Sequence, residues 1–307
     1  MGIPPYSYRF NAKLFPLMLL AFTVALCPSA KAQDTDVEGT ALDLSEDVPN
    51  QTPNQTTLKL GLGALVLPDF EGAKDHGLYP VPLLELNNWH RFSLSIRGLT
   101  YRLYEYKNDA ESEFKKIEFR LEPALSPSVS RKEDNDFLFF TRGDSNYLRG
   151  LGDVDRGLDV GVNLFLRTGP VATRLALRQE VAGGHEGFTA RLGFGTRIPF
   201  TPMTRLGIEL ATTWADEQYM DTFFSISHQQ AYRSIYRLYN ADGGFKDGSL
   251  GLQLEHDFND RVSLVAAVQY TRLLGDAADS PLVEGPGGSD DQFTVLLGLT
   301  YKWTFGE

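Results

Sequence analysis

Residues 291–305 read DQFTVLLGLTYKWTF. Phe293, Val295, Leu297, Leu299, Tyr301, Trp303 and Phe305 occupy one parity, and Thr294, Leu296, Gly298, Thr300, Lys302 and Thr304 the other. Successive side chains of a strand point to opposite faces, so strict alternation predicts a strand with one apolar face. The opposite face is small or polar with a single charge, whereas the wet face of a soluble sandwich carries more. The pattern fits a wall with lipid on one side and a polar lumen on the other. Tyr301, Trp303 and Phe305 fall where an interfacial aromatic girdle would sit.

The same alternation recurs along the chain. Leu58, Leu60, Leu62, Ala64 and Val66 oppose Lys59, Gly61 and Gly63, and Leu158, Val160, Val162, Leu164 and Leu166 oppose Asp159, Gly161, Asn163 and Arg167. Further segments set Leu175 and Leu177 against Arg174 and Arg178, Leu192 and Phe194 against Arg191 and Gly193, and Ile208 and Leu210 against Gly207 and Glu209. Leu252 and Leu254 likewise oppose Gln253 and Glu255, and Leu264 and Val268 oppose Ser263 and Gln269. The polar faces mix arginine with carboxylates, so in a lumen they would pair and fill the bore. These segments predict an all-β, antiparallel up-and-down transmembrane barrel. Eleven strands are clear, residues 137–142 (FLFFTR) would supply a twelfth, and ten is the alternative if residues 78–106 pair differently. Short connections at 87–90, 167–170, 199–203 and 257–260 should be periplasmic, and the long ones at 145–156, 215–246 and 272–290 should lie outside. Within the longest, the second half of residues 216–236 reads as a short amphipathic helix on the barrel mouth.

The N-terminus sets the compartment. Arg9 and Lys13 precede an apolar run over residues 14–26, and Ala30-Lys31-Ala32 has the small-x-small form of a cleavage site. Residues 1–32 read as a secretory signal peptide, too short in its apolar run to span a membrane. Leu26 before Cys27 departs from a lipoprotein signal. Removing the signal leaves no cysteine, which excludes disulfides and thiolate metal sites. It also removes Arg9, Lys13 and Lys31, taking the formal charge from −11 to −14. An acidic chain of this kind repels phosphate, which excludes nucleic acid as a partner. Residues 33–56, rich in Asp and Glu and then in Pro, Asn, Gln and Thr, read as a disordered acidic periplasmic leader. Residues 57–307 are then the barrel.

Candidate chemistry is sparse. Asp153 and Asp155, and Asp276 and Asp279, have calcium-loop spacing but lack the full ligand run, so they read as turn-shaping aspartates. Of the five histidines, His76, His90 and His256 stand apart, His185 lies beside Glu186 in a glycine turn, and His228 follows Ser225 and Ser227. A hydrolase needs serine, histidine and an orienting group together. Trp89, Trp214 and Trp303 read as girdle residues. The residues assign no catalytic, cofactor-binding or metal-ligating site.

Four stretches beside loops go beyond generic barrel composition: PDFEG at 68–72, LRGLGDVDRG at 148–157, TWADEQYMDTFF at 213–224 and RLLGDAADSPLV at 272–283. Together they resemble the MltA-interacting protein (MipA/OmpV) family of Gram-negative outer-membrane proteins, over residues 58–305. A longer stretch around 137–146 departs from the family pattern. The resemblance implies a non-enzymatic adaptor in the outer membrane, embedded in lipid, that links a lytic transglycosylase to a bifunctional penicillin-binding protein during peptidoglycan growth. It brings no catalytic residues and no cofactor. A narrow channel for small solutes is the alternative, and a barrel hydrolase the third reading.

Overall fold

The structure is a computed structural model that describes residues 55–108, 112–133 and 146–306. Alternation becomes a closed antiparallel ladder. The strands are β1 (Thr56–Pro68), β2 (His76–Trp89), β3 (Phe92–Ser95), β4 (Gly98–Tyr101), β5 (Tyr104–Lys107), β6 (Ile117–Pro127), β7 (Leu158–Thr168) and β8 (Val171–Glu180). They continue with β9 (Phe188–Thr201), β10 (Thr204–Ala215), β11 (Gly244–Asp257), β12 (Val262–Leu273) and β13 (Asp291–Phe305). Apart from β4 and β5, each pairs with its sequence neighbours, and β1 closes on β13 with Leu62 opposite Leu299 and Gly63 opposite Gly298. β4 and β5 flank Arg102 and Leu103 and both pair with β6, so they are halves of one strand. Thirteen segments therefore make twelve strands. Among the described residues no helix is long and apolar enough to cross a membrane.

The expected twelve is reached by a different route. Residues 137–142 lie outside the described residues, and β6 and β7 already pair directly on either side of that connection. The twelfth strand comes instead from residues 92–107, where β3, β4 and β5 have four residues each. The turn from β2 into β3 uses His90 and Arg91, both at positive φ (50° and 73°), the backbone a two-residue type I′ hairpin requires. Residues 1–32 and 33–54, read as signal and leader, lie outside the described residues, and Thr56 already belongs to β1.

The two faces separate as the alternation predicts. On β13, Leu297 and Leu299 are 53% and 52% exposed, while Gln292, Thr294 and Thr300 on the other parity are buried in the lumen. At one end of the barrel Trp89 packs beside Phe92 and Trp303 lies 4.4 Å from Tyr301. At the other, Trp214 meets Phe188 and Tyr270 meets Phe293. Two aromatic belts thus bracket the apolar band. The long connections all emerge at the Trp214 end. The other end has short links at 90–91, 169–170, 202–203 and 258–261, and a longer one at 108–116.

This parity makes a direct prediction. Arginine at Leu252 or Leu297 should each cost about 2–4 kcal/mol of barrel stability, as for a charge at the lipid midplane. Arginine at Gln253, which faces the lumen, should cost clearly less. Reversible urea unfolding in lipid vesicles measures all three, and equal costs would contradict the assigned faces.

Candidate functional site

The lumen is lined by charges that answer one another. Lys59 of β1 meets Glu85 of β2 at 3.2 Å and reaches Glu255 of β11 at 3.6 Å. Arg205 of β10 joins Glu255 at 3.3 Å and Asp257 at 2.8 Å, so one network crosses the lower bore. Arg120 pairs with Glu118 at 3.3 Å and Glu122 at 3.4 Å, and its guanidinium lies 4.0 Å above the Phe165 ring. Higher up, Arg191 holds Glu209 at 3.1 Å and donates to the Ser249 hydroxyl at 3.1 Å. Buried charge is tolerable only with partners, and here each sign supplies the other. Around the upper pairs lies a lumen cavity of about 260 Å³, bordered by Arg174, Arg191, Asp159 and Tyr219 among others.

Its roof is a cap made from the outer connections. Helix α1 (Glu217–Phe224) begins at Asp216, whose side chain accepts from the Tyr219 N–H, and buries Tyr219, Met220, Phe223 and Phe224. These pack with Val154, Leu273, Ala277 and Val283. A second apolar cluster joins Phe70, Leu148, Leu151, Ile226, Tyr236 and Leu282. The four stretches PDFEG, LRGLGDVDRG, TWADEQYMDTFF and RLLGDAADSPLV therefore meet in one place. The packed helix is the first half of the 216–236 segment. The second half is a short helix as well, α2 (His228–Arg233), capped by Ser227, but it buries none of its residues. The amphipathic helix expected on the mouth is thus displaced toward the strand, because the aromatic run 219–224 carries the apolar area.

Polar groups stitch the cap to the barrel. Ser280, fully buried, donates its hydroxyl to the Phe224 carbonyl at 2.6 Å and N-caps helix α4 (Pro281–Glu284), which follows α3 (Gly275–Ala278). Tyr219 donates to Glu71 at 2.9 Å, and Glu71 also pairs with Lys246, which Asp247 holds at 2.9 Å. Gln292 of β13 accepts from the Gly72 N–H and donates to the Ala73 carbonyl. Arg131 donates to the Phe223 carbonyl at 3.1 Å; burial pushes its guanidinium down to about 10, opposed by Asp153 and Glu133, so it stays cationic at neutral pH. Tyr239 donates to the Asp276 carbonyl, and burial with nearby Asp276 raises its hydroxyl to about 12.

The residues weighed for chemistry are dispersed. Asp153 and Asp155 both turn to Lys132, at 3.4 and 2.5 Å. The Asp276 carboxylate accepts from the Asp242 N–H. No group of three or more metal-ligating side chains occurs among the described residues. His185 is buried against Tyr219 and Phe223, its Nδ1 accepts from the Gly187 N–H, and its Nε2 lies 3.9 Å from Asp159. His256 shares a hydrogen bond with Thr204, and the Ser225 hydroxyl accepts from the Ala241 N–H. Ser227, His228 and Ser225 serve caps and turns of the loop, and no serine bonds to any histidine among the described residues. The sequence reading missed His185 as a cap residue; its place in GGHEG, beside Glu186 at φ 54°, was the available sign of a tight, built turn.

Two predictions concern the cap. Ser280→Ala strands the buried Phe224 carbonyl, so it should destabilise the cap by about 1–3 kcal/mol. Amide exchange over residues 217–224 should rise while folded-barrel gel mobility stays. Burial also holds the His185 ring below its ordinary value, against the pull of Glu180 and Asp216. The folded loop therefore favours the neutral ring, and below about pH 6.5 the opened loop binds more protons. The protection factor at Gly187, which corrects for the intrinsic slowing of exchange in acid, should fall as pH falls through that range, and His185→Gln should flatten the response.

Comparison with known proteins agrees with this architecture. The family model described as MltA-interacting protein MipA matches residues 60–303. Outer membrane protein OmpV of Vibrio cholerae serotype O1 is 22% identical over 174 residues, covering 54% of this chain and 61% of OmpV. Outer membrane protein Omp26La of Vibrio anguillarum is 22% identical over 166 residues, with the same shares. The match spans only about three-fifths of either relative's length. Among solved structures, OmpT of Vibrio cholerae aligns over 83% of this chain and 99% of its own at a TM-score of 0.34 and 7% identity. The NanC porin aligns over 80% and 98% at 0.35 and 8%. These structural likenesses are too slight to bear on function. The family match runs from β1 to β13 and takes in nearly the whole barrel and its cap, and both curated relatives are outer-membrane proteins; the chain belongs to the MltA-interacting protein MipA family and is an outer-membrane barrel.

Proposed function

We propose that this chain is a non-enzymatic outer-membrane scaffold whose periplasmic rim holds murein-remodelling enzymes, a lytic transglycosylase and a bifunctional penicillin-binding protein. The observation that carries the reading is the closure of the outer mouth. Tyr219, Glu71 and Lys246 roof the lumen, and the Lys59–Glu255–Arg205 network crosses the bore beneath. A barrel roofed and crossed in this way is a poor conduit and a rigid pedestal. The family's description, MltA-interacting, supports a transglycosylase as the partner. In this reading residues 1–32 are an export signal removed on secretion, and residues 33–54, ahead of β1, an acidic leader on the periplasmic side.

Murein lies on the periplasmic side, so the contact surface belongs on the short-loop rim. Phe114, in the 108–116 link, is 82% exposed beside exposed Lys115. Exposed aromatic residues are enriched at protein interfaces, which makes Phe114 the anchor to test on this rim. A second reading, a narrow channel, rests on the lumen cavity of about 260 Å³ below the cap.

The test uses the full folded barrel. Phe114→Ala with Lys115→Glu should weaken capture of a purified lytic transglycosylase about tenfold, the loss expected of one interface anchor. Asp257 is unsuited to such a test, because Arg205 and Ser263 hold it inside the barrel. Deleting residues 276–289 is equally unsuited, since it removes Ser280 and Leu282 from the cap. Capture by the wild type with no steady single-channel conductance supports the scaffold. Steady conductance, increased by Tyr219→Ala, with no capture would replace it by the channel.

A further inference from the structure

Among the described residues the barrel wall lacks a strand beside the upper part of β2. β2 has fourteen residues, whereas β3 and β4 have four each and turn at Ile96 and Arg97. β2 meets β3 only at Glu85–Ser95, Leu86–Leu94 and Trp89–Phe92, while its ladder with β1 runs on to His76. On the far side of the hairpin, β4 reaches β6 at Leu99–Leu125 and Thr100–Ala124. Above the hairpin tip, therefore, residues 80–84 of β2 have a strand partner on one side only among the described residues. Pro80 and Pro82 occupy this edge. Proline lacks the N–H that a ladder needs and is tolerated where no neighbouring strand requires it. The sequence thus carries the mark of an edge inside a fold whose closure should abolish edges.

The lumen beside the gap carries an apolar patch, set directly against the Lys59, Glu85 and Glu255 ion pairs and Arg97. Leu65, Val81 and Tyr79 cluster there with Leu83 and Leu296, and Ala267 adjoins Leu296. Leu65, Val81, Leu83, Ala267 and Leu296 border a cavity of about 90 Å³. Leu83 has room to lean inward because Gly298 lies beneath it; a Cβ on Gly298 would stand 2.4 Å from the Leu83 Cδ1. The cavity is also bordered by Leu84 and Ile96. Leu84 is paired with Leu60 on the lipid-facing parity, opposite to Leu83 and Val81. Residues of both parities therefore border the space at the hairpin tip, where β2 has a strand partner on one side only among the described residues.

We propose that this gap is a lateral portal through which a single hydrocarbon chain enters the lumen from the bilayer, its end resting among Leu65, Val81, Leu83, Ala267 and Leu296. The apolar patch recognises the chain, and the charged side chains beside it, Lys59, Glu85 and Glu255, answer one another, so no charged group is required of the ligand. Such a chain belongs either to a membrane lipid or to a free fatty acid, and the two are separable by experiment. The proposal stands apart from the scaffold reading, because it concerns the wall and not the periplasmic rim.

The test uses full-length barrel folded in vesicles with two probes, a phospholipid carrying a diazirine on one acyl chain and a diazirine fatty acid. After illumination, labelled residues are mapped by mass spectrometry. Label should appear on lumen-facing Val81, Leu83 or Leu296. Ala267→Phe, which fills the pocket, should cut that label about tenfold, the loss of roughly two buried methylene groups, while label on lipid-facing Leu252 stays. Leu296→Gln, a milder polar change, should act in the same direction, so the test survives misfolding of either variant. Folding is checked by heat-dependent gel mobility. Lumen label from the phospholipid identifies a lipid chain, and from the fatty acid alone a free acid; both support the portal. Label confined to lipid-facing residues, or lumen label unchanged by well-folded variants, overturns it.

Discussion

Everything in this molecule depends on satisfying backbone hydrogen bonds where no water is available. In lipid a spanning sheet must close on itself, and the β1–β13 ladder does so over eleven residue pairs from Thr56–Phe305 to Val66–Val295. Both strands carry glycines at the crossing, and a Cβ on Gly61 would stand 2.1 Å from the Leu299 carbonyl oxygen. Where the wall kinks between β4 and β5, the ladder is kept by other donors. The Leu103 N–H reaches the Leu121 carbonyl and the Arg102 N–H the Arg91 carbonyl. Closure then imposes the rest: apolar side chains outward, polar side chains inward, and charges inside that must find partners.

The cap answers a second requirement. Long connections on a barrel rim would leave polar backbone and aromatic side chains without order. Here they fold onto one another, with Phe224, Met220 and Leu282 almost wholly buried outside the membrane band. Each of the four stretches gives a different part. PDFEG supplies Phe70 and Glu71, LRGLGDVDRG supplies Leu148, Leu151 and Val154, TWADEQYMDTFF supplies α1, and RLLGDAADSPLV supplies Leu273, Ser280 and Leu282. Their unusual composition for loops is thus the composition of a small core.

Strand identity and facing were legible because alternation over ten or more residues is a strong periodic signal. Every face read from β7 to β13 holds in the structure. The β3–β5 region was not legible, since four residues hold only two per face and cannot establish a period. The packed helix was placed half a segment too late, because the glutamines and alanine of 229–231 looked amphipathic while the aromatics of 219–224 looked like loop. The cap itself lay beyond sequence reading. Its parts are separated by up to about two hundred residues, and only barrel closure brings residue 70 to residue 282. Phe165 was equally hidden: it breaks the polar parity of β7, and the structure accounts for it by the Arg120 guanidinium stacked on its ring.

The cap and the wall gap are mechanically linked. An edge such as residues 80–84 of β2 would fray if nothing held the upper end of its hairpin with β1. The cap holds it instead of a neighbouring strand. Ala73 bridges to Gly288, the Lys74 N–H donates to the Gly287 carbonyl, and the Ser289 N–H donates to the Gly72 carbonyl. Gln292 adds two more bonds to the same turn from inside β13. The β1–β2 turn is therefore anchored to the β12–β13 connection, on the side away from the gap. This division lets one stretch of wall stay unpaired without loosening the hairpin that borders it. It also explains why Tyr219, Glu71 and Lys246 sit where they do: the contact that roofs the lumen is the one that fixes the first outer turn.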